Sequence, residues 1–593
     1  MRVQLDENAQ EFLGKSELVI ITERVDDVVV LIGQMVKMGL VEALDKPIPR
    51  HWKQRGLSWG WTTVVWLAYI LSEGDHRKVA MESYVRSMKE TLQQVTGQCL
   101  EALDFSDDRL AHLLEYLSKR QYWHGIEQEL NERSIEVYDL AREVVRCDAT
   151  TVSGDHEVKE GGLIQFGHSK DDPTCGQLKV MLGSLDPLGM PLATDVVSGE
   201  QADDKLYIPL IARIRAGLKQ TGLLFVGDCK MSALETRTYV AKHEHLYLSP
   251  LALTGTTVEE MPGWISDGID KEKAGELERI WRTNDRGKEV LAASGYEFER
   301  RCSPGAEAQE GWSERVLVVH SPTHAQQQAA GLEKRLTTAQ DKIGALTPAR
   351  GRGKRQITAE AVLVEAIAEV LKKHRVEGLL RIEFERQSEP QTRYVGRCRG
   401  SANRAQQVTE RVRYQVTEVV REEAKIAELI DRFGWKAFVT NATKERVSLA
   451  AAVLCYRNEY RVERIFNRLK SRLNIAPLFV QRDDQIEGLT YLLTLGVRVL
   501  TLMEFVVRRS VQQAGTQLPD LHPENRQKTT DKPTAERILK AFSGISLTII
   551  KTPVGNEIRR WLTPLSALQQ NILRSLGLDT FLYEQLEIPD SGN

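Results

Sequence analysis

The sequence predicts a multidomain α/β (α+β) protein, with a mixed-sheet core interrupted by a long insertion and flanked by helical regions. Three observations predict it. Short β-branched segments at 143–152, 177–185 and 191–198 precede an apolar helix and a continuous apolar run, LLFVGD (223–228). A Gly/Arg-rich stretch from about 254 to 432 then breaks this pattern. At either end of the chain, apolar residues recur at helical spacing.

Residues 1–140 read as a helical domain. Segment 25–44 is amphipathic, 59–71 is an apolar run holding Trp59, Trp61 and Trp66, and 104–123 opens on Ser106, a suitable N-cap. Both a plain helical module and a module binding DNA ends fit this composition.

Residues 141–253 hold the first part of the core. Three strands (EVVRCDATTV at 143–152, then 177–185 and 191–198) lead to a helix at 205–218 and a strand at 223–228. Ser232 and Glu235 have capping-box spacing for a helix through Lys242, and 246–253 is a further strand.

Residues 254–432 form the insertion, with strands at 316–320 and 379–384 and helices at 332–343 and 359–373. Residues 433–511 return to the core through a strand, WKAFVT (435–440), and a long helix from near Ser448. The apolar stretch 491–507 is broken by Arg498 and Glu504, which reads as a buried helix rather than a membrane span. Residues 512–593 are expected to be helical after a polar loop at 512–533, and could serve dimerisation.

Composition narrows the function. The chain has 593 residues, 41% hydrophobic and 27% charged, with a net charge of −3. That excludes disordered, collagen-like and coiled-coil proteins and argues against a uniformly basic nucleic-acid coat protein. Residues 350–414 nevertheless carry 15 Lys+Arg against 8 Asp+Glu. This excess of +7 centres on GRGKR (351–355) and RYVGRCRGSANR (393–404), where Arg352, Lys354, Arg355, Arg397 and Arg399 suit contact with DNA phosphates. A solvated charged surface would have the same composition. Seven scattered cysteines without C-x-x-C spacing indicate neither a zinc ribbon nor a disulfide framework, and fit a reducing cytosol. With no signal-peptide h-region in the first 30 residues, a cytoplasmic protein with no membrane partner is expected, nucleoid-associated when on DNA. No P-loop, dinucleotide loop or H-E-x-x-H motif is present.

Three acids stand out. Asp148 sits inside the first core strand, and Asp228 ends the LLFVGD strand. A carboxylate in a buried β-run is costly unless it is paired or bound to a cation, and ligands of open α/β sheets gather near the carboxyl ends of strands. Glu463 lies on the late helix. On a continuous helix Tyr456, Glu463 and Lys470, each seven apart, fall on one stripe beside the apolar stripe of Val462, Phe466, Leu469 and Leu473. Lys470 would then lie about 10 Å along the axis from Glu463, too far to share a metal but within reach of a neighbouring phosphate. Two Asp and one Glu suit Mg²⁺, a hard cation that takes oxygen ligands.

The order of these elements resembles the RNase H-like core of DDE transposases from bacterial insertion sequences. The branch it resembles carries a Tyr-x2-Arg-x3-Glu-x6-Lys signature, which Tyr456, Glu463 and Lys470 match while Glu459 stands at the Arg position. CDATTVSG (147–154), GHSKDDP (167–173), LLFVGDCKMS (223–232) and WKAFVTN (435–441) are similar to segments of this branch, and DFSDDRL (104–110) to its N-terminal helical domain. The resemblance covers most of the chain. It implies cut-and-paste DNA transposition, in which Asp148, Asp228 and Glu463 are catalytic and hold Mg²⁺, as two ions, with Mn²⁺ as an acceptable substitute. It implies further that Tyr456 and Lys470 hold DNA phosphates, that Trp435 is the candidate for stacking on a flipped base, and that a homodimer forms on transposon-end and target DNA. A domesticated DNA-binding protein and another RNase H-like nuclease are the competing readings.

Overall fold

The computed structural model describes residues 18–50, 56–167, 174–284, 287–303, 311–351, 354, 356–395, 406–458, 460–525 and 527–588. The chain divides into two compact units. The first comprises Met1–Ser249, Ser303–Trp312 and Cys455–Asn593, the second Pro250–Cys302 and Ser313–Leu454.

The first unit opens with a strand, β1 (Val19–Arg24), followed by helices α1 (Val28–Lys37), α2 (Trp59–Glu73), α3 (Asp107–Ser118) and α4 (Arg120–Tyr138). Helix α2 starts where the Ser58 side chain accepts a hydrogen bond from the Trp61 N–H, and it is buried nearly all round, as its unbroken apolar sequence requires. Ser106 is the N-cap of α3, as expected, although its side chain makes no capping bond.

Next come β2 (Val144–Gly154), β3 (Gly176–Leu185) and β4 (Met190–Ser198), an antiparallel meander. Helix α5 (Tyr207–Leu218) leads to β5 (Leu224–Val226), which runs parallel to β2, and α6 (Leu234–Lys242) leads to β6 (Leu246–Pro250), parallel to β5. The order β4-β3-β2-β5-β6 is an RNase H-like sheet. Every residue of β3 is buried, as befits a strand covered on both faces. The expected capping box at Ser232 is not formed: α6 starts after Ala233, and the Ser232 hydroxyl instead donates to the Cys229 carbonyl, closing the turn that follows Asp228.

The second unit begins with α7 (Thr256–Ala274) and contains β7 (Glu278–Thr283), β8 (Glu289–Cys302) and most of β9 (Trp312–His320). Helices α8 (Pro322–Leu346) and α9 (Glu360–His374) pack around Leu332, Leu336, Ile343, Leu363 and Ile367. A long hairpin follows, β10 (Leu380–Tyr394) and β11 (Gln406–Arg421), then α10 (Glu423–Asp431) and β12 (Trp435–Thr440). The unit's larger sheet runs β12-β9-β8-β7, and β10 and β11 form a separate two-stranded sheet. The strands of this region are far longer than the segments expected at 316–320 and 379–384, because their polar outer residues hide the alternation.

The late helix is not continuous. Helix α11 (Leu449–Arg457) ends before α12 (Tyr460–Asn467), which passes directly into a π-helical turn, Arg468–Arg472. Back in the first unit, α13 (Asp483–Gln513) is long and apolar enough to cross a membrane, and 89% of its most apolar stretch is buried within the protein. Gly488 lets α13 meet α3 closely: a Cβ there would lie 2.1 Å from the Leu114 carbonyl oxygen. Trp123 of α4 stacks on Tyr491 with ring centroids 4.4 Å apart, worth about 1 kcal/mol beyond the area buried. The C-terminal region is not purely helical. Strands β13 (Ser546–Lys551) and β14 (Glu557–Leu562) form a hairpin whose first strand pairs with β1, followed by α14 (Ala567–Leu576). Here alternation over only six residues per strand was too short a signal.

Candidate active site

The site is built at the point where β5 ends. Strands β2 and β5 pair from Val144↔Leu224 to Arg146↔Val226; Asp148 follows the last pair by two residues within β2, and Asp228 follows it by two residues just past the end of β5. The Gly227 N–H still bonds to the Leu248 carbonyl (3.2 Å), and the chain then turns at Asp228. The Lys230 N–H (2.8 Å) and the Tyr207 hydroxyl (2.7 Å) both donate to Asp228 Oδ1, and among the described residues Oδ2 accepts no hydrogen bond. Asp148 is half-buried, and its Oδ1 accepts from the Ala149 N–H at 2.7 Å.

Tyr207, the first residue of α5, reports that the two acids share a neighbourhood. Its hydroxyl is held well above its ordinary value, first by burial and then by the negative charges of Asp228 and Asp148. Burial likewise pushes the Cys147 thiol up, so Cys147 is an inert core residue. Sequence reasoning did not single out Tyr207, although its place at the start of the 205–218 helix put it beside the end of the next strand.

Arg146 is a second residue that was missed. It is buried, donates to the Cys455 carbonyl at 2.7 Å and pairs with Asp186 at 3.4 Å. Side chains two apart on a strand share a face, so Arg146 and Asp148 point the same way, and the chain from Cys455 toward Glu463 begins on that face. Helix α12 also packs against β2. Glu463 itself is exposed. Among the described residues no group of three or more His, Cys, Asp or Glu side chains is close enough to hold one metal ion.

The single stripe expected for Tyr456, Glu463 and Lys470 is not formed. Tyr456 lies half-buried in the last turn of α11, Glu463 on α12 and Lys470 half-buried in the π-helical turn, whose wider winding shifts the 3.6-residue spacing. Helix α12 is instead fixed by charge. Arg464, next to Glu463, and Arg468 both bond to Glu504 of α13, which also pairs with Arg508 at 2.8 Å; Arg468 reaches Glu536 at 3.0 Å.

Trp435, in the second unit, is 7% exposed. It stacks on His320 with centroids 5.0 Å apart and lies against Gly268, where a Cβ would come within 2.5 Å of the indole. Lys354 is exposed. Arg352, Arg355, Arg397, Arg399 and Glu459 lie outside the described residues.

As a donor set, Asp148 and Asp228 fit a hard divalent cation: two carboxylates, one of them with an oxygen that accepts no hydrogen bond among the described residues. No protein-family model matches the chain, and no curated protein matches it. Among solved structures the chain is similar to the cryo-EM structure of a piggyBac transposase synaptic complex with hairpin DNA, with a TM-score of 0.34 and 7% sequence identity, covering 96% of this chain and 87% of that one.

Proposed function

We propose that the protein is a DDE transposase of the bacterial insertion-sequence type, which cleaves and rejoins DNA at inverted-repeat ends. The observation that supports this reading is that Asp148 and Asp228 each follow by two residues the last pair of the adjacent parallel strands β2 and β5 in an RNase H-like strand order. Asp148 and Asp228 would hold Mg²⁺, and Glu463, on the helix packed against β2, would complete the carboxylate set. Such ions, when bound, activate a water or 3′-hydroxyl and stabilise the leaving oxygen of an in-line displacement at phosphorus. The chain's own part is positional. Tyr207 and the Lys230 N–H hold Asp228 through Oδ1 and so direct Oδ2 outward, while Arg146 anchors the segment that leads to Glu463. Tyr456 and Lys470 flank Glu463 along the chain and would bear on the DNA backbone. A homodimer would bring two ends together.

The test uses duplex DNA carrying the inverted repeats that flank the gene. In Mg²⁺ the wild-type chain should nick and join these ends, and in Ca²⁺ only bind them. Asp148→Asn, Asp228→Asn and Glu463→Gln should each abolish cleavage with binding intact. Retained cleavage in any one variant removes that residue from the site. Binding without cleavage by the wild-type chain would favour the domesticated reading, and cleavage without strand transfer the nuclease reading.

A further inference from the structure

The β10–β11 hairpin does two different things along its length. At its base, Leu380, Ile382, Phe384, Tyr414, Val416 and Val419 join the hydrophobic cluster of α8 and α9. Further out, Ser388–Arg393 and 406–411 are exposed at every position, and among the described residues no third strand joins either edge. A two-stranded ribbon without a covered face is marginal by itself and presents open edges, so this outer half is built for something outside the chain.

Its register shows what that is. From Phe384↔Val416 to Tyr394↔Gln406 the pairing is regular, so directly paired residues share a face. One face carries Gln387, Gln391, Arg393, Gln407, Arg411 and Arg413. The other carries Ser388↔Val412, Pro390↔Glu410 and Thr392↔Val408. Gln and Arg are the side chains that make bidentate hydrogen bonds to adenine and guanine edges in the major groove, which is wide enough to admit a two-stranded ribbon. Arg413 is braced by Gln387 (2.8 Å) and Gln356 (3.3 Å). Among the described residues, no hydrogen bond or ion pair within the chain engages the side chains of Gln391, Arg393, Gln407 or Arg411. Two acids share this face: Glu389 pairs with Arg350, and Glu385, toward the base, accepts a hydrogen bond from Gln387.

Charge points the same way. Residues 386–413 contain seven arginines and two acids in a chain of net charge −3. Glu410, on the opposite face, pairs with Arg386 at 3.3 Å. Arg350 and Gln356, on either side of exposed Lys354 in the sequence, bond to Glu389 and Arg413 of the Gln/Arg face. From Gln387 to Arg393 the ribbon spans about 20 Å, or about six base pairs of duplex.

We propose that the β10–β11 ribbon is a sequence-reading arm that enters the major groove of duplex DNA with its Gln/Arg face against the base edges. This rests on the proposed function in taking DNA as the partner, but not on cleavage. The test is a selection from randomised duplex DNA in EDTA, where no strand can be cut, comparing the wild-type chain with Gln391→Ala/Arg393→Ala/Gln407→Ala and with Thr392→Ala on the opposite face. Since all these positions are exposed, each variant should melt with the wild type.

The wild type and Thr392→Ala should enrich one motif. The triple variant should lose discrimination by about 5- to 150-fold for each base contact removed, and 7-deazaguanine in the selected duplex should reproduce part of that loss. Arg411→Ala should lower the salt slope of binding by about one. An identical motif from the triple variant, no motif from the wild type, or a change in self-association with unaltered DNA selection would each overturn the proposal. Groove reading by a chain that cuts nothing in Mg²⁺ would sink the transposase reading alone, and cleavage with no role for the ribbon would sink this one alone.

Discussion

Replacing Glu504 by Gln should loosen the helix that carries Glu463. Glu504 is 5% exposed and accepts hydrogen bonds from Arg464 and Arg468, from Arg508 at 2.8 Å and from the Ala535 N–H at 3.2 Å. Arg464 and Arg508, with side chains 37% and 29% exposed, can turn to water, whereas Arg468 at 7% cannot. Removing one partner of a buried ion pair costs about 3–5 kcal/mol. Arg468 keeps Glu536 and Thr501 as partners, so the lower end applies, about 3 kcal/mol. That corresponds to roughly two decades in the equilibrium between docked and undocked α12. At roughly 2 °C per kcal/mol for a unit of this size, Tm should fall by about 6 °C. The assay is a thermal melt alongside Mg²⁺-dependent cleavage of end DNA, with DNA binding as the control. Cleavage should fall with Tm while binding holds. A Tm within about a degree of wild type together with unchanged cleavage would refute the view that Glu504 fixes α12, since the lost bonds are worth several times that. Arg464→Ala, at the exposed end of the cluster, should cost under about 1 kcal/mol.

Glu127 is pushed up to about 7 from 4.5 by burial, against the pull of Arg213 and Arg498. The native state therefore holds a proton that the unfolded chain releases, so stability falls as pH rises from 4.5 through 7, by about 3 kcal/mol in all. Glu127→Gln should flatten that slope in urea melts at pH 5 and 8, and an unchanged slope would assign it elsewhere. Tyr207→Phe removes a bond to Asp228 and should lower stability by about 1–2 kcal/mol while weakening Mn²⁺ binding measured by calorimetry; unaltered binding would free Asp228 from dependence on Tyr207. Trp435→Ala should cost about 3–5 kcal/mol as a core truncation, read as loss of Tm, whereas a stable variant defective only in DNA processing would assign the indole to base stacking. Gly488→Ala should force α13 away from α3 and lower Tm, a prediction that an unaffected melt would reject.

The core strands were readable because short β-branched or apolar runs recur in them, as at Val144–Val145 and Thr150–Val152 of β2 and Val180–Leu182 of β3, and the two aspartates were conspicuous as acids beside such runs. Strands β1, β13 and β14 were hidden because each is short and alternates with charged residues. The placement of Glu463 was misread for a different reason. Heptad spacing is meaningful only along an unbroken α-helix, and nothing in the sequence from Tyr456 to Lys470 announces either the end of α11 at Arg457 or the π-helical turn. Tyr207 and Glu504 were passed over because their importance lies in what they touch across the fold, which one-dimensional spacing does not record.

The pairing of β1 with β13 joins two segments that lie far apart along the chain. Val19–Arg24 leaves the ribosome with no partner strand until Ser546–Lys551 is made. At elongation speeds of about 5–20 residues per second, that wait is roughly half a minute to nearly two minutes. A chain that stops before Ser546–Lys551 keeps an unsatisfied strand edge, a target for proteases and for aggregation.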